Sequence, residues 1–183
     1  MAAEILYGAP VAEAICQELS EKINTLLSAG ISPKLAILRV GCREGDLSYE
    51  RVVLRRFSKL DMEAKVFSLP DAVSTEELID MIRRLNEDES IHGVLLLRPL
   101  PALIDEFSVC AALSPAKDVD GMTPYSMAGL YTGSGRGFAP CSAEAVKALL
   151  HYYRIPLAGK NAVILGRSTV VGRPLSLLLT GEN

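Results

Sequence analysis

The chain lacks most features that would narrow its class at once. It has no basic excess: 19 Lys and Arg stand against 22 Asp and Glu, a formal charge of -3. Nucleic-acid binding draws on cations facing phosphates, so this balance argues against it. No apolar run approaches the roughly 20 residues of a membrane-spanning helix, and no membrane association is expected. Glu4 lies near the start and no basic segment precedes an apolar one. Neither a secretory signal nor an Arg-rich transit peptide is therefore read there. Cys16, Cys42, Cys110 and Cys141 are widely scattered. They contain no close pair to suggest zinc, and they are too few for a disulfide scaffold of this length. No Ser-His-Asp or Cys-His arrangement, metal-ligand spacing, internal repeat or low-complexity tract appears. The expectation is a reduced, cytoplasmic, globular protein, and 49% hydrophobic with 22% charged residues is ordinary for one.

What is present is alternation. Val11, Ile15, Leu19, Ile23 and Leu26 recur at helical spacing, and Gly30 stands where a C-terminal cap belongs. Residues 34–40 read as a mostly buried strand, followed by a polar loop and a helix over 48–60. A second strand is expected at 64–69. Ser74-Thr75-Glu76-Glu77 matches the capping box, which starts another helix. Residues 91–97 form a third strand, stopped by Arg98-Pro99-Leu100-Pro101 because proline cannot donate to a ladder. The order predicts an α/β fold, a parallel-rich sheet with helices on both faces. Residues 104–113 read as a short helix, 115–124 as loop, and Gly133 to Gly137 as the most flexible stretch by composition. Ser142 is expected to cap a further helix. Residues 160–165 read as a strand, 166–172 as a turn, and a helix starts near Pro174. That last βα unit has no following strand, so it looks like the opening of a second, Rossmann-like dinucleotide domain that has been cut off. The expected division is 1–141 for a catalytic domain and 142–183 for a crossover helix and the beginning of the second domain.

Several residues carry chemical interest. Gly166-Arg167-Ser168-Thr169-Val170-Val171-Gly172-Arg173-Pro174 lies between an expected strand and helix. A small-residue turn there lets backbone amides approach a phosphate, although it is not the GxGxxG fingerprint and a plain tight turn stays equally open. Asp118 and Asp120 form either a ligand-binding loop or, more simply, an Asp-rich turn. Tyr49 stacks on a ligand or covers the core, the core being the simpler reading. His92 reads as a satisfied core histidine and His151 as a surface residue.

Together these segments resemble the methylenetetrahydrofolate dehydrogenase/cyclohydrolase family. Lys117-Asp118-Val119-Asp120-Gly121 is that family's KDVDG, and Pro140-Cys141-Ser142 is similar to its PCT segment. Gly159-Lys160, Val163-Ile164-Leu165-Gly166-Arg167-Ser168 and Val171-Gly172-Arg173-Pro174 are similar to its GK, VVVGRS and VGRP segments. His92-Gly93-Val94-Leu95 and Pro99-Leu100-Pro101 match its HGIL strand and PLP turn. The resemblance implies two α/β lobes, with a tetrahydrofolate derivative as substrate in the cleft. Tyr49 would pack on the folate ring and Asp120 would bond the pterin edge. Gly166, Arg167, Ser168 and Gly172 would hold NADP, or NAD in its place, with no metal. It further implies one-carbon metabolism, a homodimer, and a chain that continues for roughly one hundred residues more, the size of a second domain.

Two positions depart from the family's pattern. Its lysine, four residues after the tyrosine, is Val53 here, and its glutamine before the PLP turn is Leu97. The family uses that pair for acid-base work, which valine and leucine cannot do. Arg56 and Arg98 lie near these positions and carry charge, but arginine stays protonated. The loop Cys42-Arg43-Glu44-Gly45-Asp46 also replaces an acidic segment of the family. The readings are therefore a folate-dependent oxidoreductase and hydrolase with weakened hydrolysis, or a folate-binding regulatory paralogue. A fragment inactive through truncation is the third.

Overall fold

Leu35 to Val40 are all buried, in the strand β1 (Lys34–Val40). Burial on both faces is what a central parallel strand needs. The structure, a computed structural model, describes residues 4–182. Strands β2 (Glu63–Leu69) and β3 (Gly93–Leu96) flank β1, both parallel to it, in the order β2-β1-β3. Lys34 lies opposite Glu63, and their side chains pair at 2.9 Å. On the other side Leu35 lies opposite Gly93 and Leu38 opposite Leu96. A bridge between Val94 and Asp118 extends the sheet beyond β3.

Helix α2 (Glu44–Lys59) joins β1 to β2, and α3 (Thr75–Glu87) joins β2 to β3. The chain thus steps to one side of β1 and then back across it. Right-handed crossovers in opposite directions place their helices on opposite faces. On one face Val53, Leu54 and Phe57 of α2 pack with Val66 and Val119 against Leu35, Ile37, Leu95 and Leu97. The residues of the other parity, Ala36, Leu38, Val94 and Leu96, are equally buried. Leu78, Ile82 and Leu85 of α3 belong to the core, as does Val109 of α4 (Glu106–Ala112), which packs on α3. The capping box is complete: the Glu77 amide donates to Ser74 Oγ at 3.2 Å and the Ser74 amide to Glu77 Oε2 at 2.8 Å. Hydrogen bonds from the Ser74 amide, then from its side chain, hold the Glu77 carboxyl below its usual range.

The described residues fall into two compact units, 19–119 and the remainder. The first contains the sheet. The second combines the start of α1 (Gly8–Ser28) with α5 (Pro124–Thr132), α6 (Cys141–Tyr152) and α7 (Gly172–Thr180). There the Tyr7 amide donates to Tyr153 Oη at 3.2 Å, and that hydroxyl donates to the Tyr7 carbonyl at 3.0 Å. Glu182 meets Lys147 at 2.7 Å and His151 at 3.0 Å. Hydrogen bonds from Lys147, then His151, hold its carboxyl below the usual range.

Several expectations are corrected. Residues 160–165 form no strand: no described segment pairs with them, and Val163 and Leu165 are 87% and 98% exposed. Helix α2 begins at Glu44, not 48, because Glu44 and Asp46 place acids in its first turn and Arg43 pairs with Asp46 at 2.7 Å. Ser142 is not a cap; Pro140 holds that position and bonds through no side chain. Helix α5 was not expected; Thr123 caps it and Pro124 opens it. In α1 only part of the apolar stripe is covered, with Val11 and Ile23 buried but Ile15 42% exposed. His92 is exposed, with Nδ1 accepting from the Lys34 amide at 3.2 Å, so it is satisfied but not in the core. The loop 133–137 is seated: a Cβ on Gly129 would strike the Arg136 carbonyl, and one on Gly137 would meet Ser126.

Candidate functional site

The unit 19–119 carries Tyr49, Val53 and Leu97. Helical spacing puts Glu50, Val53, Leu54 and Phe57 on the inward face of α2. Tyr49 stands one turn before Val53, at the edge of that stripe, and is 50% exposed, so it leaves much of its ring outside the core. Val53 packs into the same apolar cluster that holds Leu97. The structure thus brings together the two positions that depart from the family's pattern, and it makes them hydrophobic neighbours. Arg98 does not replace the missing polar pair in that cluster. It pairs with Glu106 of α4 at 3.4 Å, and Glu106 also accepts the Leu100 amide at 3.3 Å. Arg56 is exposed on α2. Burial pushes the nearby Cys110 thiol up to about 11, which leaves it protonated and unreactive at neutral pH.

The KDVDG segment has structural work at nearly every residue. Lys117 Nζ donates to the carbonyls of Leu85 and Asp88 at 2.8 and 2.7 Å, closing the C-terminal end of α3. The Lys117 carbonyl accepts the Val94 amide at 2.7 Å, and Asp118 is fully buried beside β3. Asp120, in the other unit, accepts the Cys141 amide at 3.2 Å. Cys141 is the first residue of α6, so Asp120 supplies the cap that Pro140 cannot. Gly121 has φ +61°, and a Cβ there would strike the Phe138 carbonyl. Only glycine meets both conditions. Tyr49 and Asp120 lie in different units.

The turn after residue 165 is ordered by Ser168. Its Oγ accepts the Val171 and Gly172 amides at 3.1 and 3.4 Å, and its carbonyl accepts the Arg173 amide at 3.0 Å. Gly172 is buried, and a Cβ on it would meet the Gly166 carbonyl. Gly166, Ser168 and Gly172 therefore come together at the start of α7, with Arg167 and Arg173 exposed beside them. A helix N-terminus, close backbone and two guanidinium groups suit a phosphate. Among the described residues no cluster of three or more His, Cys, Asp or Glu is placed to hold a metal. None of the described helices is long and apolar enough to cross a membrane.

Sequence reasoning passed over the Arg39–Glu50 pair. Arg39 Nε meets Glu50 Oε2 at 2.8 Å, with side chains only 10% and 12% exposed. The available signal was a charge at the core-facing parity of a buried strand.

An open parallel α/β sheet, with a glycine-bearing turn at a helix start elsewhere in the chain, is the build in which dinucleotide-dependent enzymes are found. Comparison with known proteins makes this particular. Residues 6–120 match the catalytic domain of tetrahydrofolate dehydrogenase/cyclohydrolase, and residues 140–183 match that family's NAD(P)-binding domain. The chain belongs to this family. It is 41% identical over 179 residues to the bifunctional protein FolD of Clostridium kluyveri, covering 98% of this chain and 63% of that protein. The FolD crystal structure from Campylobacter jejuni superposes with a TM-score of 0.95 at 35% identity, covering 99% of this chain and 64% of that one. The Trypanosoma brucei enzyme, complexed with NADP cofactor and inhibitor, gives 0.93 at 30%, covering 100% and 63%. The chain thus spans under two thirds of the length of these relatives.

Proposed function

We propose that the chain is part of a cytoplasmic, homodimeric enzyme that oxidises methylenetetrahydrofolate with NADP, or with NAD in its place. The observation that supports this best is the succession, in one chain, of the family's catalytic domain and its NAD(P)-binding domain. Residues 1–141 would form the folate-binding catalytic domain, and 142–183 the crossover helix and the beginning of the dinucleotide domain. Tyr49 would stack on the folate ring, and Asp120 would accept a hydrogen bond from the pterin edge. Gly166, Arg167, Ser168 and Gly172 would hold the dinucleotide's phosphates. When bound, the dinucleotide supplies the acceptor for a hydride from the one-carbon bridge.

The chain's own residues then orient the ring and limit its freedom, the largest contribution that positioning alone makes to such a step. Loss of hydride leaves a methenyl cation on the folate. Its hydrolysis needs a water to lose a proton. Val53 and Leu97 offer no proton acceptor, and general acid-base help is typically a factor of about 100 to 10,000. The apolar packing at these two positions therefore favours a dehydrogenase whose hydrolytic step is weak. That same cluster also favours, as a second reading, a folate-binding protein without chemistry.

Spectrophotometric assay separates these readings. The expected result is measurable hydride transfer and methenyl hydrolysis slower by at least about 100-fold. Vigorous hydrolysis would reject the weak hydrolytic step. Folate binding without hydride transfer would favour the second reading. Asp120→Ala should weaken folate binding by about 1–3 kcal/mol; unchanged calorimetric affinity would reject its placement at the pterin.

A further inference from the structure

Arg39 and Glu50 occupy places where the interface between α2 and the sheet would otherwise be apolar. Alternation along β1 puts Arg39 on the face of Leu35 and Ile37, and helical spacing aligns Glu50 with Val53, Leu54 and Phe57. Their nearly buried side chains bond at 2.8 Å. Arg39 also donates through Nη1 to the Gly41 carbonyl, so one guanidinium ties the end of β1, the loop leaving it and the second turn of α2. It ties α2 to the sheet where the helix has no buried residue and no side-chain cap of its own. Apolar contact tolerates sliding and rotation, whereas a charge-assisted hydrogen bond sets distance and angle together. The pair lies at the carboxyl end of β1, the side of open α/β sheets that faces ligands.

We propose that the Arg39–Glu50 pair is a positioning device that sets the rotation of α2 and so the direction in which Tyr49 presents its ring to a reduced folate. This rests on the reading of Tyr49 as a ligand-contacting residue. Neither Arg39 nor Glu50 touches the ligand; their effect passes through Tyr49.

Calorimetric titration of the protein with tetrahydrofolate tests this. Glu50→Gln keeps the shape but loses the charge, and should lower affinity about tenfold, the ratio expected when a charged hydrogen bond is weakened. Arg39→Lys, which keeps the charge and loses the fork, should lower it by a smaller factor. Tyr49→Ala should lower it at least as much as Glu50→Gln, and the double variant should be no weaker than Tyr49→Ala alone. Leu85→Ala, destabilised in α3 rather than α2, should bind within about twofold of the parent. If Tyr49→Ala weakens binding while Glu50→Gln and Arg39→Lys do not, the positioning role is overturned and the reading of Tyr49 stands. If Tyr49→Ala binds normally, that reading falls and takes the positioning role with it. Additive losses, or an equal loss in Leu85→Ala, would also overturn it by showing a general effect of stability.

Discussion

Residues 34–40 and 160–165 read alike in sequence, each an apolar run beginning at a lysine, yet they meet opposite fates. The first is the middle strand of a sheet, bonded on both sides and buried from Leu35 to Val40. The second forms no strand, with Val163 and Leu165 almost fully exposed. Composition and patterning are shared, so the difference lies in the neighbours. A run of β-branched and aliphatic residues becomes a strand only where other backbones take up its amides and carbonyls. The unit 19–119 supplies two such neighbours for β1. Among the described residues none pairs with 160–165, and the other unit relies on helix contacts, the Glu182 ion pairs and the seat at Gly121.

The largest test of that contrast compares Leu38→Ala with Leu165→Ala. Leu38 is wholly buried, so its truncation should cost about 2–5 kcal/mol in chemical denaturation. Leu165 is 98% exposed, and its truncation should stay within about 0.5 kcal/mol. Amide exchange should follow the same order, slow in β1 and fast over 160–165; equal protection would show that the second run has found a partner. A smaller effect probes the seat. Gly121→Ala must accept φ +61° and displace the Phe138 carbonyl, so a loss of about 1–3 kcal/mol is expected. A neutral result would mean that residues 138–140 shift freely.

The smallest effect is acid sensitivity, and it separates the units. The Glu77 and Glu182 carboxyls are both held below the ordinary glutamate value of 4.5 by hydrogen bonds, from Ser74 and from Lys147 with His151 respectively. A depressed folded pKa stabilises above 4.5 and loses that contribution as pH falls through the folded value. Glu77→Gln should flatten the acid limb for α3 only, and Glu182→Gln for α6 and α7 only, as read by residue-resolved exchange below pH 4.5. Loss of both limbs from one substitution would show the units unfolding as one.

The three strands of the sheet and the capping box at Ser74 were legible because each is a local pattern with one dominant physical cause, and the parallel pairing followed from the alternation of strands and helices. Helix α5 was not, since Ser126 and Gly129 are its buried residues and neither enters an apolar stripe. Thr123 before Pro124 was the readable signal, a capping side chain ahead of a first-turn proline. At the candidate site, the positions of Tyr49, Asp120 and the 166–172 turn were legible from motifs. What they do locally was not. That Asp120 caps α6, that Ser168 gathers the Val171 and Gly172 amides, and that Val53 and Leu97 share one cluster all depend on contacts distant in sequence or on backbone closure. Arg39 was visible as a charge in an apolar run, but its partner eleven residues on needed the packing of α2.

The outer position of β2 bears on how the protein behaves when concentrated. A sheet's open edge invites another chain to add a strand, and natural edges are blunted with charge. In β2, Glu63 is engaged by Lys34, and Lys65 lies 5.1 Å from the centre of the Phe67 ring, so this edge presents charged side chains along its first half. The charge along β2 should therefore keep the sheet from templating a second copy when the protein is concentrated.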